Sequence, residues 1–199
     1  MKLLLCSDIH RDLAAAERLV ARSADADVLV VAGDLAVMRT GLQEVVDILS
    51  AAACPTVLVA GNGESDRELA EACAGWPDAH VLHGSGCAIG GVPFWGLGAA
   101  VPVTPFGAWS FDLSEREART LLADCPEGAV LVTHAPPLGH VDEAAPGAHL
   151  GSRAILETIE RARPRIAVCG HIHAAWEQES TLGPTRIVNA GPRGVQVEL

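Results

Sequence analysis

Tyrosine is absent, and lysine occurs once, at Lys2. Lys and Arg together number 14 against 25 Asp and Glu, a formal charge of -11. No cluster of cations stands out anywhere. Non-specific attraction to nucleic-acid polymers or to an anionic membrane is therefore not expected. Long apolar runs are missing too: none approaches the roughly 18 residues needed to span a bilayer. The Leu3-Leu4-Leu5 run is too short for a signal peptide's apolar region, and no small-residue cleavage site follows it. The expected location is the cytoplasm. The six cysteines are scattered without a Cys-x-x-Cys pair, and this reads as reduced core residues. A Gly-x-Ser-x-Gly elbow and a Walker phosphate loop are absent, so neither a serine hydrolase nor a nucleotide-loop protein is indicated. The His-x-His-x-Asp-His run of metallo-β-lactamase-like hydrolases is absent as well.

What remains is apolar and regular. Hydrophobic residues make up 49% of 199 positions, and mean hydropathy is +0.27. That is enough for one domain, residues 1–199, with a sizeable core. Arg165-Ile166-Ala167-Val168-Cys169 reads as a buried strand and runs into Gly170-His171-Ile172-His173. Gly170 permits a sharp turn, and in an extended backbone residues i and i+2 point to one side. Two imidazoles could then share a metal site. The N-terminus repeats the arrangement: Lys2 to Cys6 is apolar after its first residue, and Ser7-Asp8-Ile9-His10 follows. A plainer reading has Asp8 capping the next helix and His10 on the surface; the repetition argues against it.

The pattern continues along the chain. Leu13 to Ser23 has helical spacing, and Val28 to Ala32 is apolar on both faces, as a covered strand should be. That strand ends in Gly33-Asp34. Gly41 to Ala53 reads as a helix, then Pro55 to Ala60 as a strand ending in Gly61-Asn62-Gly63-Glu64, then Ser65 to Ala74 as a helix. In open α/β sheets, sites form at the carboxyl ends of strands, which is where these polar residues fall. Val81-Leu82, Gly86 to Ile89 and Val92 to Leu97 read as short hairpin strands. Ala99 to Phe111 has no periodicity but holds Phe106, Trp109 and Phe111, which either overhang a site or anchor the loop. Ser114 and Glu117 have capping-box spacing before a helix to about Asp124. Ala129 to Thr133 is a strand ending in His134. A polar loop over 138–150 precedes a helix opened by Gly151-Ser152 and running to about Arg163. Trp176 to Ser180, Thr185 to Val188 and Gly194 to Glu198 alternate like antiparallel strands. His80, His83, His140, His149 and Arg153 read as structural or surface residues.

Taken in order, the strand exits read Asp8-x-His10, Gly33-Asp34, Gly61-Asn62, His134 and Gly170-His171-x-His173. This set resembles the calcineurin-like metallophosphoesterase family. The Thr-His-Ala-Pro-Pro segment, Gly151-Ser152-Arg153 and Val188-Asn189-Ala190-Gly191-Pro192 look most like its small bacterial and archaeal members. The resemblance implies an α/β four-layer α-β-β-α sandwich, two mixed sheets flanked by helices. It implies two divalent ions, Mn, Fe or Zn, with Asp8, His10 and His173 on one and Asn62, His134 and His171 on the other. Asp34 would bridge them. Asp34, Asn62 and His134 would be the catalytic set, and a hydroxide between the metals would attack phosphorus in line. The expected substrate is a small phosphate ester, a diester rather than a monoester. The alternatives are a phosphomonoesterase or nucleotide hydrolase using the same site, and a binding scaffold of the same fold. Oligomeric state is not readable. One position departs from the family, whose usual Gly-Asn-His-Glu/Asp is Gly61-Asn62-Gly63-Glu64 here. The missing imidazole implies weaker help to the leaving group, and Glu64 is left to serve only the following helix.

Overall fold

The computed structural model describes residues 1–199. From the N-terminus the chain runs β1 (Lys2–Cys6), α1 (Leu13–Ser23), β2 (Val28–Ala32), α2 (Leu42–Leu49), β3 (Thr56–Val59), α3 (Asp66–Ala72) and β4 (Ala79–Val81). Next come β5 (Ser85–Ile89), β6 (Val92–Leu97), α4 (Glu115–Leu122), β7 (Val130–Thr133), β8 (Glu143–Ala145) and β9 (Ala148–His149). Then follow α5 (Arg153–Ala162), β10 (Ile166–Cys169), a 3-10 turn (His173–Ala175), β11 (Glu179–Leu182), β12 (Thr185–Asn189) and β13 (Val195–Glu198).

Eleven of the strands build two sheets. One has the order β13-β1-β2-β3-β4, the other β11-β12-β10-β7-β6-β5; β8 and β9 pair separately. The strands β2, β3, β7 and β10, and β1 after Lys2, are buried along their whole length because both their faces are covered. Along β1, Leu3 and Leu5 enter the space between the sheets, where they pack with Val30, Val59, Phe94, Val132 and Val168. Leu4 and Cys6 alternate to the outer face and pack with Leu19, Val45 and Leu69 of α1, α2 and α3. On the second sheet, Leu131 and Ala167 point outward to Leu122, Ile155 and Ile159 of α4 and α5. The layers are thus helix, sheet, sheet, helix, as expected. Phe94 is 1% exposed at the centre, and its truncation to Ala is worth about 3–5 kcal/mol.

The helix starts are set locally. Asp12 accepts from the Ala15 N–H at 2.9 Å and caps α1, so Asp8 is not that helix's cap. Ser65 with Glu68 and Ser114 with Glu117 close full capping boxes on α3 and α4. Each such cap contributes about 1 kcal/mol.

Three expectations need correction. The segment read as Val81-Leu82 is β4, and it joins β3 in parallel in the first sheet instead of forming a hairpin with β5. The polar loop over 138–150 contains the small β8–β9 pair. The strand read over Trp176 to Ser180 lies at Glu179–Leu182 as β11; it pairs antiparallel with β12 and β13 pairs antiparallel with β1, as expected, but β12 also runs parallel to β10 and β13 lies in the other sheet. Alternation marks a strand but carries no information on its partner.

Candidate metal centre

The exits of β1, β2, β3, β7 and β10 open on one place. Asp8 is 1% exposed, and its carboxylate accepts the backbone N–H of His171 at 3.0 and 3.1 Å. It also accepts from Ser7 Oγ at 2.5 Å and Trp176 Nε1 at 3.1 Å. The first and last segments of the site are therefore joined through one side chain. Gly170 serves close approach rather than an unusual turn: a Cβ there would stand 2.5 Å from Asp8 Oδ2.

The seven predicted residues come together, in two halves. His10 Nε2 lies 3.1 Å from His173 Nε2, 4.0 Å from Asp8 Oδ1 and 3.6 Å from Asp34 Oδ2. His173 Nε2 is 3.7 Å from Asp8 Oδ1. In the other half, His134 Nε2 is 3.2 Å from Asn62 Oδ1 and 3.5 Å from Asp34 Oδ1. The His134 and His171 rings stand edge to face with centroids 4.9 Å apart. Asp34 presents one oxygen to each half.

The route to this convergence differs from the expected one. The backbone at Asp8, His10, Asp34 and His171 is not extended; their φ values are 53, 46, 56 and 67°. Side chains two apart do not simply share a strand face, and these four of the seven residues sit in the left-handed region that L-residues rarely adopt. Such conformations cost of order 1 kcal/mol or more each and persist only where surrounding contacts over-determine them.

A divalent ion fits these donors. With bonds of ~2.1 Å, adjacent ligands about one ion lie roughly 3–4 Å apart, as the separations above do. Lone pairs are aimed correctly. The carbonyl of Ala32 can only accept, so His134 Nδ1 donates to it at 2.9 Å and leaves Nε2 facing the centre. His10 Nδ1 lies 3.3 Å from the Ala36 carbonyl in the same sense. The electrostatics also draw a cation. Burial works against charge on His134, but the Asp34 and Asp8 carboxylates outweigh it and raise its pKa. Burial would raise the Asp34 carboxyl, but His134 and the Gly63 N–H outweigh it and hold it low. His171 is lowered to about 3, by burial first and then by neighbouring His134. It is a neutral donor at ordinary pH.

Glu64 does more than serve the next helix. It is 1% exposed and accepts three backbone N–H groups: Gly61 at 2.8 Å, Ala36 at 2.9 Å and Leu35 at 3.3 Å. It staples the loop carrying Asp34 to the loop carrying Asn62. Trp176, whose ring also packs on His173 at 4.3 Å, had no signal in the sequence beyond its closeness to that residue. Asn189 is a further support that its strand-end position in the sequence does not reveal: its Nδ2 donates to the carbonyls of Gly170 and Ile172, at 3.2 and 3.1 Å.

The other histidines stay outside. His140 meets Ser180, and His149 meets Asp142. His83 accepts from the Gly98 N–H, and His80 lies within β4. The start of α5 offers no anion site, because Glu115 accepts from Ser152 Oγ and the Arg153 and Ala154 N–H groups. The aromatic loop divides. Phe111 packs against the core, whereas Phe106 and Trp109 line the cavity at the site.

A family model for the calcineurin-like phosphoesterase superfamily domain matches residues 1–197, and the chain belongs to that superfamily. It is 30% identical over 167 residues to the UPF0046 protein K07C11.7 of Caenorhabditis elegans, covering 71% of this chain and 54% of that protein. The chain thus spans about half the length of that relative. Among solved structures it resembles TT1561 of Thermus thermophilus, with a TM-score of 0.77 at 21% identity, over 96% of this chain and 90% of that one. A dimetal phosphatase from Danio rerio superposes with a TM-score of 0.66 at 14% identity, over 96% and 88% of the two chains. No helix is long and apolar enough to cross a membrane.

Proposed function

We propose that this member of the superfamily is a dinuclear metal-dependent hydrolase of phosphate esters, with phosphodiesters preferred over monoesters. Residues 1–199 act as one domain in this reading. One observation carries it: Asp34 faces His10 with one oxygen and His134 with the other, at 3.6 and 3.5 Å. A shared carboxylate between two imidazole-bearing halves is what two neighbouring cations need to offset their repulsion.

Asp8, His10 and His173 would hold one ion, Asn62, His134 and His171 the other, and Asp34 both. When bound, the ions supply Lewis-acid charge for the phosphoryl oxygens and activate water near neutral pH. The chain's own part is positional. Ala32 and Ala36 orient His134 and His10 through their Nδ1 atoms. Glu64 and the Gly63 N–H hold Asp34 and its loop. Neutral His171 adds a donor without adding charge. Oxygen and imidazole donors without thiolate suit Mn, Fe or Zn. The preference for diesters is supported by the cavity wall, which carries no Lys or Arg to clamp a dianionic phosphate.

The test is hydrolysis of bis(p-nitrophenyl) phosphate by metal-stripped protein titrated with Mn²⁺, beside an Asp34→Asn variant. Metal-dependent turnover that disappears in the variant supports the reading. Metal binding without turnover, with Mn²⁺ and with Zn²⁺, overturns it and favours a binding scaffold.

A further inference from the structure

A cavity of about 450 Å³ opens directly over His10, Asp34, His171 and His173. Its outer wall is apolar: Val37, Met38, Phe106, Trp109, Ala144 and Leu150. Only six large hydrophobic side chains are exposed on the whole molecule, and four of them (Val37, Met38, Phe106 and Leu150) stand in this wall. Scattered apolar exposure needs no explanation, but concentration at the mouth of a polar site does. Phe106 and Trp109 are stacked, with centroids 5.5 Å apart and planes at 11°. No Lys or Arg lines the cavity, and the nearby Arg39 is spent on the Trp109 carbonyl and on Glu68.

The wall is built rather than loose. Asp112 accepts from the Thr104 N–H, Thr104 Oγ1 and Ser110 Oγ, closing the loop that bears both aromatics. The Phe111 N–H donates to the backbone carbonyl of Asn62 at 3.0 Å, so this loop is tied to a residue of the site itself. In another part of the wall, Asp142 accepts from the Gly139 and Gly151 N–H groups, fixing the segment that presents Ala144 and Leu150.

We infer that the Phe106–Trp109 wall is a specificity subsite for an uncharged aromatic group on the phosphoester. The inference rests on the phosphoesterase reading and names its substrate class. The phosphoryl group sits over the His and Asp cluster, and the ring lies along the wall, where apolar area leaves water and flat faces meet. Further negative charge on the organic group finds no partner there, so polyphosphates and acidic alcohols are poor substrates.

Two measurements keep the inference and the underlying reading apart. Turnover of bis(p-nitrophenyl) phosphate reads the hydrolase. Calorimetry on the Mn-loaded protein reads the wall without turnover, using phenylphosphonate, methylphosphonate and 4-phosphonobenzoate as probes. Phenylphosphonate is expected to bind about tenfold more tightly than methylphosphonate, in line with the energy of aromatic contacts. 4-Phosphonobenzoate should lose most of that advantage. In Phe106→Ala/Trp109→Ala the phenyl advantage is expected to fall within about twofold, with methylphosphonate binding unchanged. Leu150→Ala, in a different segment of the wall, should give a partial loss and does not depend on the aromatic loop's integrity. Equal binding of the phenyl and methyl probes, or an advantage that survives the double variant, overturns the inference even if the protein is an active hydrolase.

Discussion

The backbone N–H of Gly63 donates to Asp34 Oδ1 across 2.7 Å. The residue that stands where the family's imidazole is usual thus touches the carboxylate shared by both halves of the site. A Cβ at this position would lie 2.9 Å from the Ala36 carbonyl oxygen and 3.2 Å from that same Asp34 oxygen. The loop has settled around a glycine.

Two variants separate sterics from chemistry here. Gly63→Ala adds only the Cβ and is expected to weaken Mn²⁺ binding several-fold with the fold retained by circular dichroism. Gly63→His adds an acid as well. General acid help is worth ~10² to 10⁴ in rate and matters most for poor leaving groups. The ratio of aryl to alkyl phosphodiester rates should therefore fall at least ~10-fold from wild type to Gly63→His. An unchanged ratio would mean that another residue already donates the proton.

Glu64 should behave as a positioning residue. Glu64→Ala leaves three backbone N–H groups without their acceptor, at about 1 to 3 kcal/mol for each buried orphan, less what removal of a buried carboxylate returns. A net loss of about 2 to 4 kcal/mol in urea unfolding is expected. Glu64→Gln keeps one acceptor oxygen and should fall between. If Glu64→Ala unfolds at the wild-type midpoint, the staple contributes nothing.

His149 and Asp142 give a pH-dependent contact beside the cavity. The hydrogen bond from His149 Nδ1 to Asp142, at 2.7 Å, raises the imidazole's pKa, and the carboxylate's charge adds to the shift. A raised His pKa means that the stabilisation is fully present below the unfolded value of about 6.5 and is lost as pH rises through the folded value. Titration of the His149 ring protons by NMR should give a value above 6.5, returning towards it in Asp142→Asn. A wild-type value at or below 6.5 would show that the contact does not persist in solution.

Thiol chemistry should single out one residue. Cys6, Cys54, Cys73, Cys125 and Cys169 are buried, and Cys87 is half-buried. Burial pushes the Cys6 thiol up to about 12 and those of Cys73 and Cys125 to about 11, and it raises Cys87 too, so accessibility is what sets Cys87 apart. Native protein at pH 8 should release about one equivalent in an Ellman assay, lost in Cys87→Ser, and six in denaturant. Rapid reaction of more than one thiol in the native state would mean that the core opens readily.

Much of this molecule is legible one residue at a time. Capping boxes at Ser65 and Ser114, strands apolar on both faces, and ligand-type residues at five strand exits all follow from local preference and pattern. Local signals suffice there because each depends on neighbours within a turn or on a period of two. Other features have no local signal. Asp8 is aimed by His171, 163 positions away, and by Trp176, 168 away. The left-handed backbone at Asp8, His10, Asp34 and His171 is imposed by such contacts against the preference of each residue. Glu64 reads as a helix-start acid until the loops of β2 and β3 are placed beside it. Phe106, Trp109 and Phe111 look alike in sequence, and only packing sends the first two to the cavity and the third to the core. Residue type and strand order determined which chemistry is available. The tertiary structure decided where each donor points, because a side chain's direction follows backbone angles held by partners far away in the chain.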